Sequence, residues 1–404
     1  MTPFKYRCTD CHRFFEREEV RYLCPECGRG YRPGVPLVGV LEAVFDGAVI
    51  GRAFDRSRPD FGLFCAVEPE FHPPFPVGNT PLFRAERLGE ELGLGSLWVK
   101  NDGQNPSGSL KDRASFLMVA EARRLSEKRV VTASTGNAAS ALAAVCSTTD
   151  REALIFVPER APRAKLAQML VHGARVVPVR GSYDDAFRLS LEYTERRGGL
   201  CRNTAYHPLT IEGKKTVGLE IWQQLGFRVP EAVLVPVGDG VILAGVHKAF
   251  LDLVRSGLAE RLPRLVCVQA ESSDAIHRYV LTGRYSDAIA PSTCADSISV
   301  SCPSNARWAR RAVLESGGLS LLVSDAEIRE GQRLLARTTG IFAEPAAAAA
   351  VAGLRKLQGG EGRIGREKEV VVLATGHGLK DVDAALSGMA LPSPVEPVLE
   401  AVKE

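Results

Sequence analysis

The first thing this chain lacks is a charge imbalance. Its 404 residues carry 51 lysines and arginines against 48 aspartates and glutamates, a net +3 at pH 7. So small an excess sets up no strong surface field, and no basic stripe interleaved with aromatics is present. Neither nucleic acid nor a membrane surface is therefore an expected partner. No apolar run approaches the length of a membrane span. The opening Met1-Thr2-Pro3-Phe4-Lys5-Tyr6-Arg7 lacks the apolar core of a secretory signal. No internal repeat of fixed period is visible. The dinucleotide fingerprint is missing too, because Leu243 stands where Gly-x-Gly-x-x-Gly, begun at Gly238-Asp239-Gly240, needs its third glycine. What remains is an ordinary globular balance, 45% hydrophobic and 25% charged, in a chain long enough for roughly two to three domains.

Cysteine is not scarce: there are ten. Four form two hooks, Cys8-x-x-Cys11 and Cys24-x-x-Cys27, with twelve residues between them. Four thiolates at this spacing complete a tetrahedral shell for Zn2+, whereas free buried thiols explain neither the pairing nor the polar surroundings. A shell with no open position is structural, so no chemistry is expected there and His12 is not counted as a ligand. The other six cysteines lie among apolar neighbours, which suits a reducing, cytoplasmic setting.

Residues 1–30 thus read as a small four-cysteine zinc-hook module. Residues 31–75 read as a connector with Pro-rich ends and a strand-like stretch at 37–45. The turn Gly78-Asn79-Thr80-Pro81-Leu82 opens the main region. From there strands alternate with helices, the α/β pattern of a parallel sheet covered on both faces. Strands are expected at 130–132, 153–157, 175–179, 232–235, 265–268 and 369–373. Residues 391–404 read as a loose tail.

This region is organised around Asn105-Pro106-Ser107-Gly108-Ser109-Leu110-Lys111-Asp112-Arg113. An extended Leu97-Trp98-Val99-Lys100 runs into a loop broken by Pro106 and Gly108, and a helical pattern with Phe116, Leu117, Ala120 and Leu125 follows. Lys111 falls in the first helical turn, just after a serine able to cap it. The positive end of the helix dipole disfavours an ammonium there, so a neutral amine or imine nitrogen is easier to reach. Alone, such a lysine would read as a surface residue. Three later loops change that reading: Ser134-Thr135-Gly136-Asn137, Gly238-Asp239-Gly240 and Thr375-Gly376-His377-Gly378. All sit at carboxyl ends of strands, where open parallel sheets bind ligands. Bare amides of a glycine loop opening a helix suit a phosphate, although Asp239 brings a like charge and should point away.

The segment from Lys100 through Arg113 closely resembles the cofactor-lysine motif of threonine synthases, which belong to the tryptophan-synthase-β-like (fold type II) pyridoxal-phosphate enzymes. The resemblance covers roughly residues 75–385. It implies two open, mostly parallel sheet domains flanked by helices within residues 76–390, the smaller spanning roughly 115–225, and a possible homodimer. It implies that Lys111 holds pyridoxal 5'-phosphate as an imine and moves the α-proton. Asn137 would bond the pyridoxal ring, Thr375 would meet its nitrogen, and Gly238, Asp239 and Gly240 would form the phosphate cup. Ser134 and Thr135 would face the carboxylate of a small amino-acid substrate, with Glu344, in Gly340-Ile341-Phe342-Ala343-Glu344-Pro345, lining the pocket. A hydroxyl at the ring nitrogen suits elimination or replacement better than transamination. Zinc-hook N-termini resemble an extension of some members.

The resemblance is weaker at the substrate-phosphate site. The family stretch Asn-Pro-Tyr-Arg-Leu-Glu-Gly-Gln-Lys-Thr is here His207-Pro208-Leu209-Thr210-Ile211-Glu212-Gly213-Lys214-Lys215-Thr216. Thr210 replaces a guanidinium that a hydroxyl cannot imitate. Arg202, Lys214 and Lys215 read as a solvated face near a helix start rather than as a substitute clamp. The leading expectation is a lyase converting O-phosphohomoserine and water to L-threonine and phosphate. The alternatives are dehydration of threonine or serine, or a cysteate-synthase-like β-replacement. A non-catalytic zinc-containing binding protein is the least favoured.

Overall fold

Val130, Val131, Val233, Leu234 and Val371 are inaccessible to solvent, as strands covered by helices on both faces require. The computed structural model describes residues 2–402 apart from Pro162, Glu361, Gly388 and Ala390; Lys403 and Glu404, the end of the expected tail, lie outside the described residues. Strands β1 (Phe4–Cys8), β2 (Phe14–Phe15) and β3 (Leu41–Phe45) make an antiparallel sheet in the order β2-β1-β3. Strand β3 belongs to the stretch after residue 30, so that stretch completes the sheet of the cysteine module.

Strands β4 (Leu82–Arg84) and β5 (Ser96–Asn101) begin the largest sheet. The chain then leaves it to build a second sheet from β6 (Arg129–Ala133), β7 (Glu152–Pro158), β8 (Arg175–Val179) and β9 (Leu200–Cys201). It returns with β10 (Ala232–Pro236), β11 (Arg264–Ala270), β12 (Leu319–Val323) and β13 (Glu369–Ala374). The large sheet runs β12-β11-β10-β13-β5-β4 and the small one β8-β7-β6-β9. Every pairing in both is parallel except β4 on β5. The α/β architecture with two open sheets is therefore as expected.

Helices Lys111–Arg124, Leu209–Gln224 and Val241–Arg255 pack against one another beside the large sheet. Glycine makes the approach possible. A Cβ at Gly213 would overlap the Arg113 carbonyl, and one at Gly245 would lie 2.8 Å from Lys214 Cβ. A buried ionic network then fixes the lysine-bearing helix to β5. Arg113 Nε and Nη2 donate to Asp102 at 2.6 and 2.9 Å, and Nη1 and Nη2 donate to Glu220 at 2.6 and 2.8 Å. Lys100 Nζ donates to Glu220 at 2.6 Å and to the Thr80 carbonyl at 2.7 Å. Such fully paired charges specify one geometry, since removing a partner leaves a buried charge uncompensated.

Candidate active site

Lys111 is the first residue of its helix, but Ser109 is not the cap: Leu110 occupies that position without a side-chain bond. Ser109 is fully buried and its Oγ has no partner. Lys111 lies on the wall of a cavity of about 690 Å³, within the range that encloses small ligands and cofactors. Burial pushes its ammonium below the ordinary lysine value, and Arg202 acts in the same direction, while Glu344 and Asp239 oppose the shift. The amine is thus more easily neutral than a surface lysine.

The loop after β13 laces the site together. Leu110 donates its N–H to the Thr375 carbonyl at 2.9 Å, His377 to Gly108 at 2.9 Å, and Glu344 to Gly376 at 3.0 Å. A Cβ at Gly376 would overlap the Glu344 carboxylate, so glycine is required there for close approach. His377 is a turn residue whose Nδ1 accepts the Leu379 N–H at 3.1 Å. Asn137 opens the helix Asn137–Cys146. Its Nδ2 donates to both oxygens of Glu344, at 3.0 and 2.9 Å. Burial raises the Glu344 carboxyl above its ordinary value, against the bond from Asn137 and the charge of Lys111. Thr375, Ser134 and Thr135 all line the cavity, the first buried.

Gly238, Asp239 and Gly240 line the same cavity and lead into helix Val241–Arg255. Gly240 has φ +84°, and no side chain caps the helix. The first amides of such a helix have no partner within it, which makes an anion cradle. Asp239 lines the cavity too, with Oδ1 accepting the Ser304 N–H at 3.1 Å. Across the loop, a Cβ at Gly238 would lie 2.9 Å from Ile298 Cα. The segment Ala295-Asp296-Ser297-Ile298 thereby closes onto the cradle.

The solvated reading of three cations is overturned. Arg202 is 3% exposed, Lys214 4% and Lys215 1%. Lys215 belongs to an ion cluster with Glu212 and Asp252. Arg202 and Lys214, by contrast, line the cavity. Arg202 Nε donates to Ser115 at 3.3 Å while Nη2 is buried without a partner. Burial pushes Arg202 down to about 10. It also pushes Lys214 well below its ordinary value, with the Arg202 and Lys111 charges adding to the shift and Asp239 opposing it. Two buried, poorly compensated cations beside an amide cradle call for anions. Pyridoxal phosphate fits these donors: an amine that is readily neutral, an orphaned serine hydroxyl, and a cationic cradle for its phosphate. Thr210 cannot stand in for a clamp, because its hydroxyl is spent on the carbonyls of Thr204 and His207, the latter at 2.9 Å.

Sequence reasoning gave no role to Lys380, whose Nζ donates to the Ser107 carbonyl at 2.7 Å and Gln168 Oε1 at 2.8 Å beneath the site. It also missed Asp112, which accepts the Ser107 N–H at 2.7 Å and is raised by burial to about 6. Asp112 sits within the quoted lysine motif and Lys380 two residues beyond the Thr375–Gly378 loop, yet nothing in their spacing marks the first as buried or the second as half-buried.

At the other end of the chain, the sulfurs of Cys8, Cys11, Cys24 and Cys27 all lie within 4.8 Å of one another. The Cys11 and Cys24 sulfurs are 3.8 Å apart, close to the roughly 3.8 Å edge of a tetrahedron with about 2.3 Å metal–sulfur bonds. The Cys8 sulfur accepts N–H bonds from Asp10 and Cys11, each at 3.4 Å. None of the described helices is long and apolar enough to cross a membrane.

Comparison with known proteins agrees with this geometry. The family described as pyridoxal-phosphate dependent enzyme matches residues 74–376. A threonine synthase of Methanosarcina acetivorans is 34% identical over 411 residues, covering 99% of this chain and 98% of the relative. One from Methanocaldococcus jannaschii is 35% identical over 415 residues, 98% of each chain. Among solved structures, the processed form of threonine deaminase isoform 2 from Solanum lycopersicum superposes with a TM-score of 0.66 at 24% identity. That match covers 77% of this chain and 88% of the other, and speaks to the fold alone.

Proposed function

Because the chain belongs to the threonine synthase family of pyridoxal-phosphate dependent enzymes, we propose that it converts O-phosphohomoserine and water to L-threonine and phosphate. The observation that carries this reading is Arg202, a buried cation with an unpartnered Nη2 on the cavity that also holds Lys111. With Lys214 facing the cofactor phosphate, an amino acid ending in a phosphate supplies the second anion that Arg202 needs.

Pyridoxal phosphate, when bound, supplies an electron sink that lets protons leave the carbons of a substrate amino acid. The residues around it hold and move those protons. Lys111 Nζ would hold the cofactor and would be the base that takes and returns the α-proton; its depressed pKa suits an amine acting near neutral pH. The amides of residues 238–241, with Lys214 beside them, would hold the cofactor phosphate, and Asn137 and Thr375 would orient its ring. Ser134 and Thr135 take the substrate carboxylate. Arg202 holds the substrate phosphate until the Cγ–oxygen bond breaks. Glu344, tied to Asn137, steadies the charge of Lys111. In this reading the four cysteines hold a structural Zn2+ and the protein works in the cytoplasm.

A second reading is dehydration of L-threonine or L-serine to a 2-oxo acid. The observation favouring it is Thr210, where the family's arginine is missing and the hydroxyl is committed to backbone. Purified protein loaded with pyridoxal phosphate separates the two. Offered O-phosphohomoserine, threonine, serine and O-phosphoserine, it should release phosphate and threonine from the first. Absence of phosphate release, together with 2-oxobutanoate from threonine, would overturn the first reading in favour of the second.

A further inference from the structure

Part of the cavity wall is formed by Tyr31, Pro33, Gly34 and Val35. All four precede residue 74, where the family match begins, so the common catalytic core does not account for the whole cavity. Tyr31 is half-buried, and burial raises its phenol above the ordinary value, so it stays a neutral hydrogen-bond donor. Val35 remains half-exposed at 50%, and Gly34 turns the chain with φ +93°.

This segment is bound to the cysteine hook at both ends. Tyr31 donates its N–H to the Gly28 carbonyl at 3.1 Å, and its ring lies 6.1 Å from Tyr206, which stacks on Tyr22 at 4.9 Å. On the other side, the Gly39 carbonyl accepts the Cys24 N–H at 2.8 Å, and the Gly39 N–H goes to Asp10 at 2.7 Å. The second oxygen of Asp10 takes Arg307 at 2.8 Å. Between these anchors Leu37 donates its N–H to the Ser304 carbonyl at 2.8 Å. Ser304 and Asn305 are the residues whose N–H groups hold the side chain and carbonyl of Asp239, at 3.1 and 3.0 Å. A run of direct bonds therefore leads from Cys24 to the glycine loop. Only glycine suits position 39: φ is +76°, and a Cβ would lie 2.8 Å from Gly28 N and 3.0 Å from Cys24 Cβ.

We propose that the N-terminal cysteine module is part of the substrate site: clamped by its hook, residues 31–35 form a selectivity wall that sets how long an anionic amino-acid side chain the cavity accepts. The Tyr31 hydroxyl is the group of this wall that donates to the anionic end. The proposal rests on the reading of the cavity as the substrate site for a phosphorylated amino acid, so its test does not depend on turnover.

The probes are the phosphonate isostere of O-phosphohomoserine and its homologue one methylene shorter, with binding to cofactor-loaded protein measured by calorimetry. A fitted wall distinguishes one methylene by roughly tenfold or more. Tyr31→Ala should erase most of that ratio without changing the amount of cofactor bound. Tyr31→Phe should weaken both isosteres and keep the ratio, since it removes the donor and leaves the wall. Gly39→Ala should speed amide hydrogen exchange at Leu37 and Asn305 in cofactor-free protein and also narrow the ratio. A merely structural Tyr31 would instead have Tyr31→Ala weaken both isosteres alike. An unchanged ratio in Tyr31→Ala, or unchanged exchange at Leu37 and Asn305 in Gly39→Ala, would overturn the proposal. If the wild type binds neither isostere, the phosphorylated-substrate reading is at fault. The ratio between L-glutamate and L-aspartate, whose anionic side chains differ by one methylene, then judges the wall by the same criterion.

Discussion

Replacing Arg202 by methionine should make the empty protein more stable and the enzyme worse. Burial pushes the guanidinium from its ordinary 12.5 down to about 10, and the side chain is 3% exposed, so solvent screening is slight. A cation whose folded pKa lies below the unfolded one costs stability at every pH below the folded value, and that cost fades only as pH rises through it. At about 1.4 kcal/mol per unit of pKa, the cost at neutral pH is on the order of 3 kcal/mol. Methionine removes the charge and keeps much of the volume, but it forfeits the bond to Ser115, worth about 1 kcal/mol. The cofactor-free variant should therefore gain about 1–2 kcal/mol in urea denaturation. Binding moves the other way. A hydrogen-bonded charge lost from a phosphate site costs about 1.5–3 kcal/mol, so KM for O-phosphohomoserine should rise roughly 10- to 150-fold. L-threonine, without a phosphate, should bind as before. A destabilised variant, or one with an unchanged KM for O-phosphohomoserine, would refute the reasoning that Arg202 awaits an anion.

Other expectations follow from single residues. Lys111→Ala should abolish turnover and the visible absorbance of the bound cofactor while leaving the fold intact by circular dichroism; retained absorbance would contradict its role. Burial pushes His207 down to about 4 from 6.5, so the unfolded chain binds the extra proton first and stability falls with pH below 6.5. The loss should reach about 3 kcal/mol by pH 4, and His207→Asn should remove that share of the pH profile. Gly213→Ala forces a methyl into the Arg113 carbonyl and should cost about 1–3 kcal/mol in the same denaturation assay. Purified protein should carry one zinc per chain by emission spectroscopy, and stripping it should expose the first 45 residues to limited proteolysis.

How far the sequence could be read depended on whether a property is local. Lys111 at a helix start, the strand before each polar loop and the two hooks are all set by neighbours in sequence, and all appear near the expected positions. The Ser109 cap did not form, because the serine is drawn into pairing with Gly376 instead of facing the helix end. The cations of residues 202–215 were misjudged for a related reason. Helix Leu209–Gln224 is packed between two others through Gly213 and Gly245, so Lys214 and Lys215, in a pattern that looks solvated, are buried. Nothing in the spacing of Lys214 or Arg202 reports that enclosure. The same applies to Tyr31, which lies 80 positions before Lys111 in the chain and joins its cavity only through long-range bonds. The tie of Asp239 to Ser304 likewise required the fold.

The central claim is elimination of phosphate followed by addition of water, and its most direct test is the reaction in water enriched in heavy oxygen. O-phosphohomoserine should yield threonine with the label in its hydroxyl and phosphate with none, because the substrate's own oxygen leaves with the phosphorus. Labelled phosphate and unlabelled homoserine would show attack at phosphorus, and would contradict the account.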